Sequence, residues 1–259
     1  MALSPESIKT IEVTIKDSLR RKFQNYKPES KHMPFHFNLL GKDRMALYSF
    51  IQSLNTTFGT SIFEPVAAAL AKTRFQHAET QHIPGDQISE EAQKVIQKII
   101  NDLSTGKSDT DKKQEIELIR AVCQKGNMNT LSTVKVDLFV QDKNGAMYLF
   151  DLKTVKPNIS NFKDFKRTLL EWCAIKLAQA PKANVKTFVA IPYNPYEPEP
   201  YQRWTMKGML DLPEELKVAE EFWDFLGGQG AYNELLNCFE RVGIELRPEI
   251  DKYFSKFKR

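Results

Sequence analysis

The sequence predicts an α/β (α+β) protein, with a small mixed sheet flanked by helices in a chain that is mostly helical. Three observations predict it. Residues 134–140 and 146–153 read as two short strands rich in β-branched and aromatic residues, and Asn144-Gly145 between them is a strong tight-turn dipeptide. A helical pattern over 160–178 then leads to a third strand, Val185-Lys-Thr-Phe-Val-Ala-Ile191, so the order is strand, strand, helix, strand. On either side, apolar residues recur at helical spacing.

Taken in order, residues 5–25 form an amphipathic helix starting near Ser4 or Pro5, with Ile8, Ile11, Val13, Ile15 and Leu19 as its apolar set. Residues 26–38 hold Pro28 and Pro34 and read as irregular. Met45, Leu47, Phe50, Ile51 and Leu54 mark a helix over 43–57 that Gly59 breaks, and an alanine-rich helix follows through Phe75. Gly85 and Asp86 mark a turn. A helix begins at Ser89-Glu-Glu-Ala, with Val95, Ile96, Ile99 and Ile100 apolar. The polar run 104–113 is a loop before a helix at 114–124. After the third strand comes a Pro- and Tyr-rich stretch over 192–201, and helices near 214–227, 230–242 and 247–257 close the chain.

The composition is that of an ordinary globular protein, 41% hydrophobic and 27% charged over 259 residues, enough for one good core. A net charge of +4 favours a polyanionic partner. Cys123, Cys173 and Cys238 lack metal spacing, and their odd number argues against a disulfide framework. No apolar run approaches a membrane span and no signal segment opens the chain, so the expectation is a cytoplasmic protein with no membrane partner.

The chemistry concentrates in the hairpin. Side chains alternate across a strand, so Asp151 and Lys153 share one face while Phe150 and Leu152 take the other. A hairpin this short brings Asp137 beside that pair. Two carboxylates and an ammonium on one spot suit a metal-dependent phosphodiesterase, in which carboxylates hold a hard divalent cation and a lysine stands beside the attacking water. The competing reading is an exposed ion pair on a solvated strand. The apolar flanks Val134, Val136, Leu138 and Val140, with Phe150 and Leu152, place the hairpin in a core instead.

The order carboxylate, hairpin turn, D-x-K resembles the PD-(D/E)xK nuclease superfamily, with Val136 where the namesake proline would stand. Longer stretches resemble the TdeIII-like type II restriction endonucleases: Leu40-Gly-Lys-Asp-Arg-Met-Ala-Leu, Gln52-Ser-Leu-Asn-Thr-Thr-Phe-Gly-Thr-Ser-Ile-Phe-Glu-Pro, Ala190-Ile-Pro-Tyr-Asn-Pro-Tyr-Glu-Pro and Glu221-Phe-Trp-Asp-Phe-Leu-Gly-Gly. The resemblance runs from about His36 to the C-terminus. It implies a nuclease, Mg²⁺ with Mn²⁺ as substitute, duplex DNA and a short site related to GGNCC. It also implies a separate DNA methyltransferase as a functional partner. The chain is then one restriction-endonuclease domain over 1–259, with helical regions at 1–58 and 196–259 around a catalytic core at 59–195.

The resemblance nominates Glu64, at a helix start upstream of the hairpin, as a further metal ligand beside Asp137 and Asp151, with Glu79 as the alternative. Against that, Ser61-Ile-Phe-Glu64 matches a helix capping box, and Pro65 at a first helical position would make Glu64 itself the cap. Candidate DNA contacts are Thr154 and Lys156 just past the lysine, and Lys163, Lys166 and Arg167 on the next helix. Asn194, Tyr196, Gln202, Arg203 and Lys207, in and after the proline-stiffened stretch, carry groups able to read base edges. Their rival readings are a solvated helix face and a rigid structural crossover. Glu171 is read as an ion-pair partner of Arg167, and the basic tail Lys252, Lys256, Lys258, Arg259 as solubilising. The pairs His32/His36 and His77/His82 have no third ligand at zinc spacing.

The expected function is a Mg²⁺-dependent type II restriction endonuclease acting as a homodimer, since one cluster per chain must serve two DNA strands. A superfamily nuclease of repair or junction resolution, or a non-catalytic DNA-binding module, is the alternative.

Overall fold

The two apolar runs pair as an antiparallel hairpin in the computed structural model, which describes residues 3–26, 33–132, 134–153, 161–201, 206 and 208–255. Strand β4 (Val136–Gln141) pairs with β5 (Met147–Leu152), with Leu138 opposite Phe150 and Gln141 opposite Met147. The connection is longer than a two-residue Asn-Gly turn. The Asp142 carboxylate accepts the backbone N–H groups of Asn144 (2.8 Å) and Ala146 (2.9 Å), and Gly145 takes the left-handed conformation at φ 82°. An Asx turn has displaced the simpler one.

Strand β6 (Val185–Ile191) lies parallel to β5, the two joined by helix α7 (Phe162–Gln179) as a β-α-β crossover. Two further strands extend the sheet at positions that carry no strand signal in the sequence. Strand β1 (His77–His82) pairs antiparallel with β4, and β7 (Leu216–Val218) pairs parallel with β6, for the order β1-β4-β5-β6-β7. As an edge strand, β1 buries only Ala78, which is why His-Ala-Glu-Thr-Gln-His lacks the apolar alternation of a strand. In place of one helix over 214–227, the chain forms α8 (Leu212–Glu215), β7 and α9 (Glu220–Gly227). A separate ribbon joins β2 (Gln87–Ser89) to β3 (Met128–Thr130).

The helices follow the apolar periodicity closely. Ser4 caps α1 (Pro5–Asn25), and Ser89 caps α5 (Glu90–Ser104) as its position ahead of two glutamates predicts. Asp111 caps α6 (Lys112–Arg120). The stretch expected to be irregular, 26–38, runs into α2 (Pro34–Leu40), with Pro34 in the first turn, where a missing N–H is harmless. Gly59 does not break α3 (Lys42–Phe58). The chain stays helical, widening into a π-helical turn over Gly59–Phe63 that runs into α4 (Glu64–Ala71), which ends short of Phe75. Helices α10 (Ala231–Glu245) and α11 (Arg247–Ser255) follow.

Alternation along the central strands feeds two cores. Leu138, Val140, Phe150, Leu152, Phe188 and Ala190 pack with α1, α4, α9 and α10 on one face. Phe139, Leu149, Val185, Val189 and Ile191 pack with α5, α6 and α7 on the other. Both strand neighbours of Asp151 are therefore committed to the first core, and Asp151 must point toward α7. Two tryptophans, each buried, tie loops to these cores: Trp172 Nε1 donates to the Val134 carbonyl and Trp223 Nε1 to that of Pro192, each at 2.7 Å. No described helix is long and apolar enough to cross a membrane.

Candidate active site

The site lies where the β4–β5 ladder ends. Beyond the Leu138–Phe150 pair the strands part, and the Asp137 carboxylate replaces the lost backbone acceptor by taking the N–H of Leu152 at 2.8 Å. That bond fixes Asp137 beside Asp151, close enough for the two carboxyl groups to influence each other's ionisation. Lys153 shares the face of Asp151 as the alternation predicts, with its Nζ 2.5 Å from Asp151 Oδ1. The Lys153 backbone N–H donates to the Ala190 carbonyl at 2.9 Å, and its ammonium lies 5.1 Å from the centre of the Phe165 ring on α7. Backbone and ring hold the lysine at the mouth of the site.

Glu64 approaches from the opposite layer. Neither the π-helical turn that carries Ser61 nor α4 has a side-chain cap, so the capping-box geometry is not formed. Glu64 receives the Gln81 amide instead, Nε2 to Oε2 at 2.8 Å, and the same nitrogen stands 3.5 Å from Asp137 Oδ1. A π turn inside a helical run is commonly functional, because it re-aims one side chain while keeping the helix. Here that side chain is Glu64.

The electrostatics are those of an overloaded carboxylate cluster. Glu64 and Asp151 are each about 3% exposed. Burial pushes Glu64 up to about 7, against the opposing Gln81 hydrogen bond. Burial also pushes Asp151 up to about 7 despite the adjacent Lys153. Asp137, half-buried, moves the same way for the same reason, although its hydrogen bond from Leu152 works against it. One ammonium does not balance three carboxylates at low dielectric. A hard divalent cation would, and the donor set, all carboxylate oxygen, is what such an ion takes. As placed, the three do not form a closed ligand triad, and no group of three His, Cys, Asp or Glu side chains set to hold a metal ion occurs among the described residues. Asp137 and Asp151 touch; Glu64 is one amide away.

Glu79 does not join this cluster. It lies between His77 (3.5 Å) and His82, whose ring stacks on Phe139 and whose Nε2 is 3.1 Å from Lys176 Nζ. Burial alone would raise Glu79, but the two histidines outweigh it and hold it below the usual carboxylate range. Between the two glutamates nominated from the sequence, the fold brings Glu64 to the aspartates.

The expected DNA contacts divide. Lys163 is exposed and Arg167 half-buried on α7, with Arg167 donating to Gln97 Oε1 at 2.8 Å and 3.9 Å from Glu171, the ion pair expected. Lys166 needs correction: it is 0% exposed, and its ammonium pairs with Glu115 (2.5 Å) and Glu215 (2.7 Å), the latter also 2.7 Å from Lys112. The helix period placed it among polar neighbours, but α6 and α8 cover that side of α7, so Lys166 has no surface from which to reach a phosphate. Asn194 uses its amide inside its own loop, donating to the Glu199 carbonyl (2.7 Å) and accepting from the Tyr196 N–H (3.0 Å). Tyr196 packs on Tyr201, ring centres 5.9 Å apart. Thr154, Lys156, Gln202, Arg203 and Lys207 lie outside the described residues, as do Lys256, Lys258 and Arg259.

Comparison with known proteins agrees with this chemistry. The family described as "Type II restriction endonuclease, HinfI" matches residues 3–243. The type II restriction enzyme HgiEI of Herpetosiphon aurantiacus is 28% identical over 221 residues, 84% of this chain and 79% of that protein. HgiBI of the same organism is equally similar. MjaII of Methanocaldococcus jannaschii is 27% identical over a match covering 98% of this chain and 74% of its own. The PD-(D/E)xK restriction-enzyme placement therefore stands, while the narrower TdeIII-like assignment does not: the family matched is HinfI.

Proposed function

The chain belongs to the HinfI family of type II restriction endonucleases, and from that premise we propose a Mg²⁺-dependent hydrolysis of phosphodiester bonds in duplex DNA at a short, GC-rich palindromic site of the GGNCC kind. One observation carries the chemical part: Asp137, Asp151 and Lys153 meet at the end of a buried hairpin with Glu64 one amide away. Asp137 and Asp151, with Glu64, are the proposed ligands of the cation. When bound there, Mg²⁺ (or Mn²⁺ as substitute) supplies Lewis acidity to a phosphoryl oxygen and to a water.

The protein's own groups do the rest. Lys153 is held against Asp151 and the Phe165 ring, where its ammonium orients the attacking water and offsets charge that builds on the phosphate. Asp137 keeps its orientation through the Leu152 N–H, so the ligand pair needs little reorganisation. Lys163 and Arg167, with Thr154 and Lys156, are the proposed phosphate contacts, and Asn194, Tyr196, Gln202, Arg203 and Lys207 the proposed base-side contacts. Because the described residues hold one such cluster and a duplex has two strands, a two-fold homodimer on a palindrome supplies one site per strand. A methyltransferase protecting the same sequence is the functional partner.

Incubating the protein with plasmid DNA and Mg²⁺ tests the proposal. Discrete fragments, with run-off sequencing that gives one repeated site, are expected. Smearing or structure-dependent nicking would point to a repair nuclease instead. DNA retardation without cleavage, with or without Mg²⁺, would point to a non-catalytic binder.

A further inference from the structure

Gln81 is the residue of this site that sequence patterns do not reveal, and its backbone is as informative as its side chain. It sits in β1 at φ 55°, the left-handed region that glycine enters freely and other residues enter at a cost. The β1–β4 register pairs Thr80 with Leu138 and His82 with Val136, but the intervening Gln81 and Asp137 make no bridge. Both residues have left the ladder, and each is turned to the site. A glutamine kept where glycine is the relaxed choice points to work done by the side chain.

That work is visible in the contacts. The Gln81 Nε2 stands between two carboxylates, 2.8 Å from Glu64 and 3.5 Å from Asp137. The amide nitrogen, a donor, faces both carboxyl groups, whose oxygens accept. The N–H₂ group lies between the two carboxylates, donating to Glu64 and at the limit of hydrogen-bond distance from Asp137. It stands between Glu64 and the Asp137–Asp151 pair, and among the described residues the three carboxylates form no closed ligand triad.

We propose that Gln81 is an amide clasp on the cation site: it bridges Glu64 and Asp137 in the metal-free protein and must swing out before Glu64 can become a ligand. The inference rests on the metal reading above and adds a positioning residue to it. Its role is to hold Glu64 and Asp137 together when no cation is bound, and the cost is a hydrogen bond that cation binding has to break. Gln81 is itself exposed, so it has solvent into which to move.

The test is Mn²⁺ binding without DNA, measured by calorimetry on the full chain. Two variants are compared with wild type: Gln81→Gly, which relaxes the backbone and removes the amide, and Gln81→Met, which removes the donors but keeps the bulk. Cooperative thermal unfolding verifies that each is folded. Both should bind Mn²⁺ about tenfold more tightly, the equivalent of losing one hydrogen bond that opposes binding. Unchanged or weaker binding by a folded variant, with wild type binding normally, would overturn the clasp. Absence of saturable Mn²⁺ binding by wild type itself would remove the metal reading and the clasp together. Tighter binding by Q81G alone would trace the effect to the backbone and also count against the clasp.

Discussion

Glu64→Gln separates two accounts of the buried glutamate. A carboxyl that ordinarily ionises near 4.5 and here near 7 destabilises the folded, metal-free protein once it is charged. The sign follows from linkage. The raised pKa gives stability that is fully present below the unfolded value and is lost as pH rises through about 7. The loss amounts to about 3 kcal/mol, taking ~1.4 kcal/mol for each pH unit between the two values. Glutamine keeps the size and an acceptor for the Gln81 amide but never ionises. In EDTA, E64Q should therefore unfold at a higher temperature than wild type at alkaline pH, by on the order of 5–10 °C for a chain of this size. The difference should shrink as pH falls toward the ordinary carboxylate range. The assay is thermal unfolding across pH, paired with DNA cleavage at limiting Mg²⁺, where the ligand role predicts a severe loss that higher Mg²⁺ or Mn²⁺ partly restores. If E64Q is less stable than wild type at alkaline pH and cuts DNA normally, Glu64 is a structural residue and the reasoning fails.

Other expectations follow from the same geometry. Lys153→Ala should lower the single-turnover cleavage rate by about 100-fold or more with DNA affinity nearly unchanged. Asp137→Asn and Asp151→Asn should abolish cleavage while retaining DNA binding in a gel-shift assay, and Ca²⁺ should support binding by wild type without cutting. Lys163→Ala should reduce the salt dependence of DNA binding by about one counterion. Lys166→Met should leave that slope alone and cost roughly 3–5 kcal/mol in urea unfolding, because it strands Glu115 in the core and leaves Glu215 with Lys112 alone.

What was legible in the sequence depended on whether a residue's neighbours in the chain were also its neighbours in space. Asp151 and Lys153 were legible because strand alternation alone puts them together, and Asp137 because a hairpin is a local structure. Helices α1, α3, α5, α7 and α10 were legible from apolar periodicity. Strand β1 was not, since an edge strand with one buried side chain carries no alternation, and Gln81 went unseen with it. The π-helical turn was invisible because Gly59 reads as a helix breaker, whereas the chain stays helical through it. Lys166 was misplaced because a helix period reports one face at a time. Both sides of α7 are covered, and a lysine buried with two glutamates looks in sequence like any exposed one.

The central claim is that the cation sits among Glu64, Asp137 and Asp151. The most direct measurement replaces Mg²⁺ with Fe²⁺ and generates hydroxyl radicals at the bound ion, then maps backbone scission by mass spectrometry. The account predicts cuts clustered at the chain segments around Glu64, Asp137 and Asp151, suppressed by excess Mg²⁺ and absent in Asp151→Asn. Cuts centred instead on His77, Glu79 and His82, or unaffected by Asp151→Asn, would contradict it.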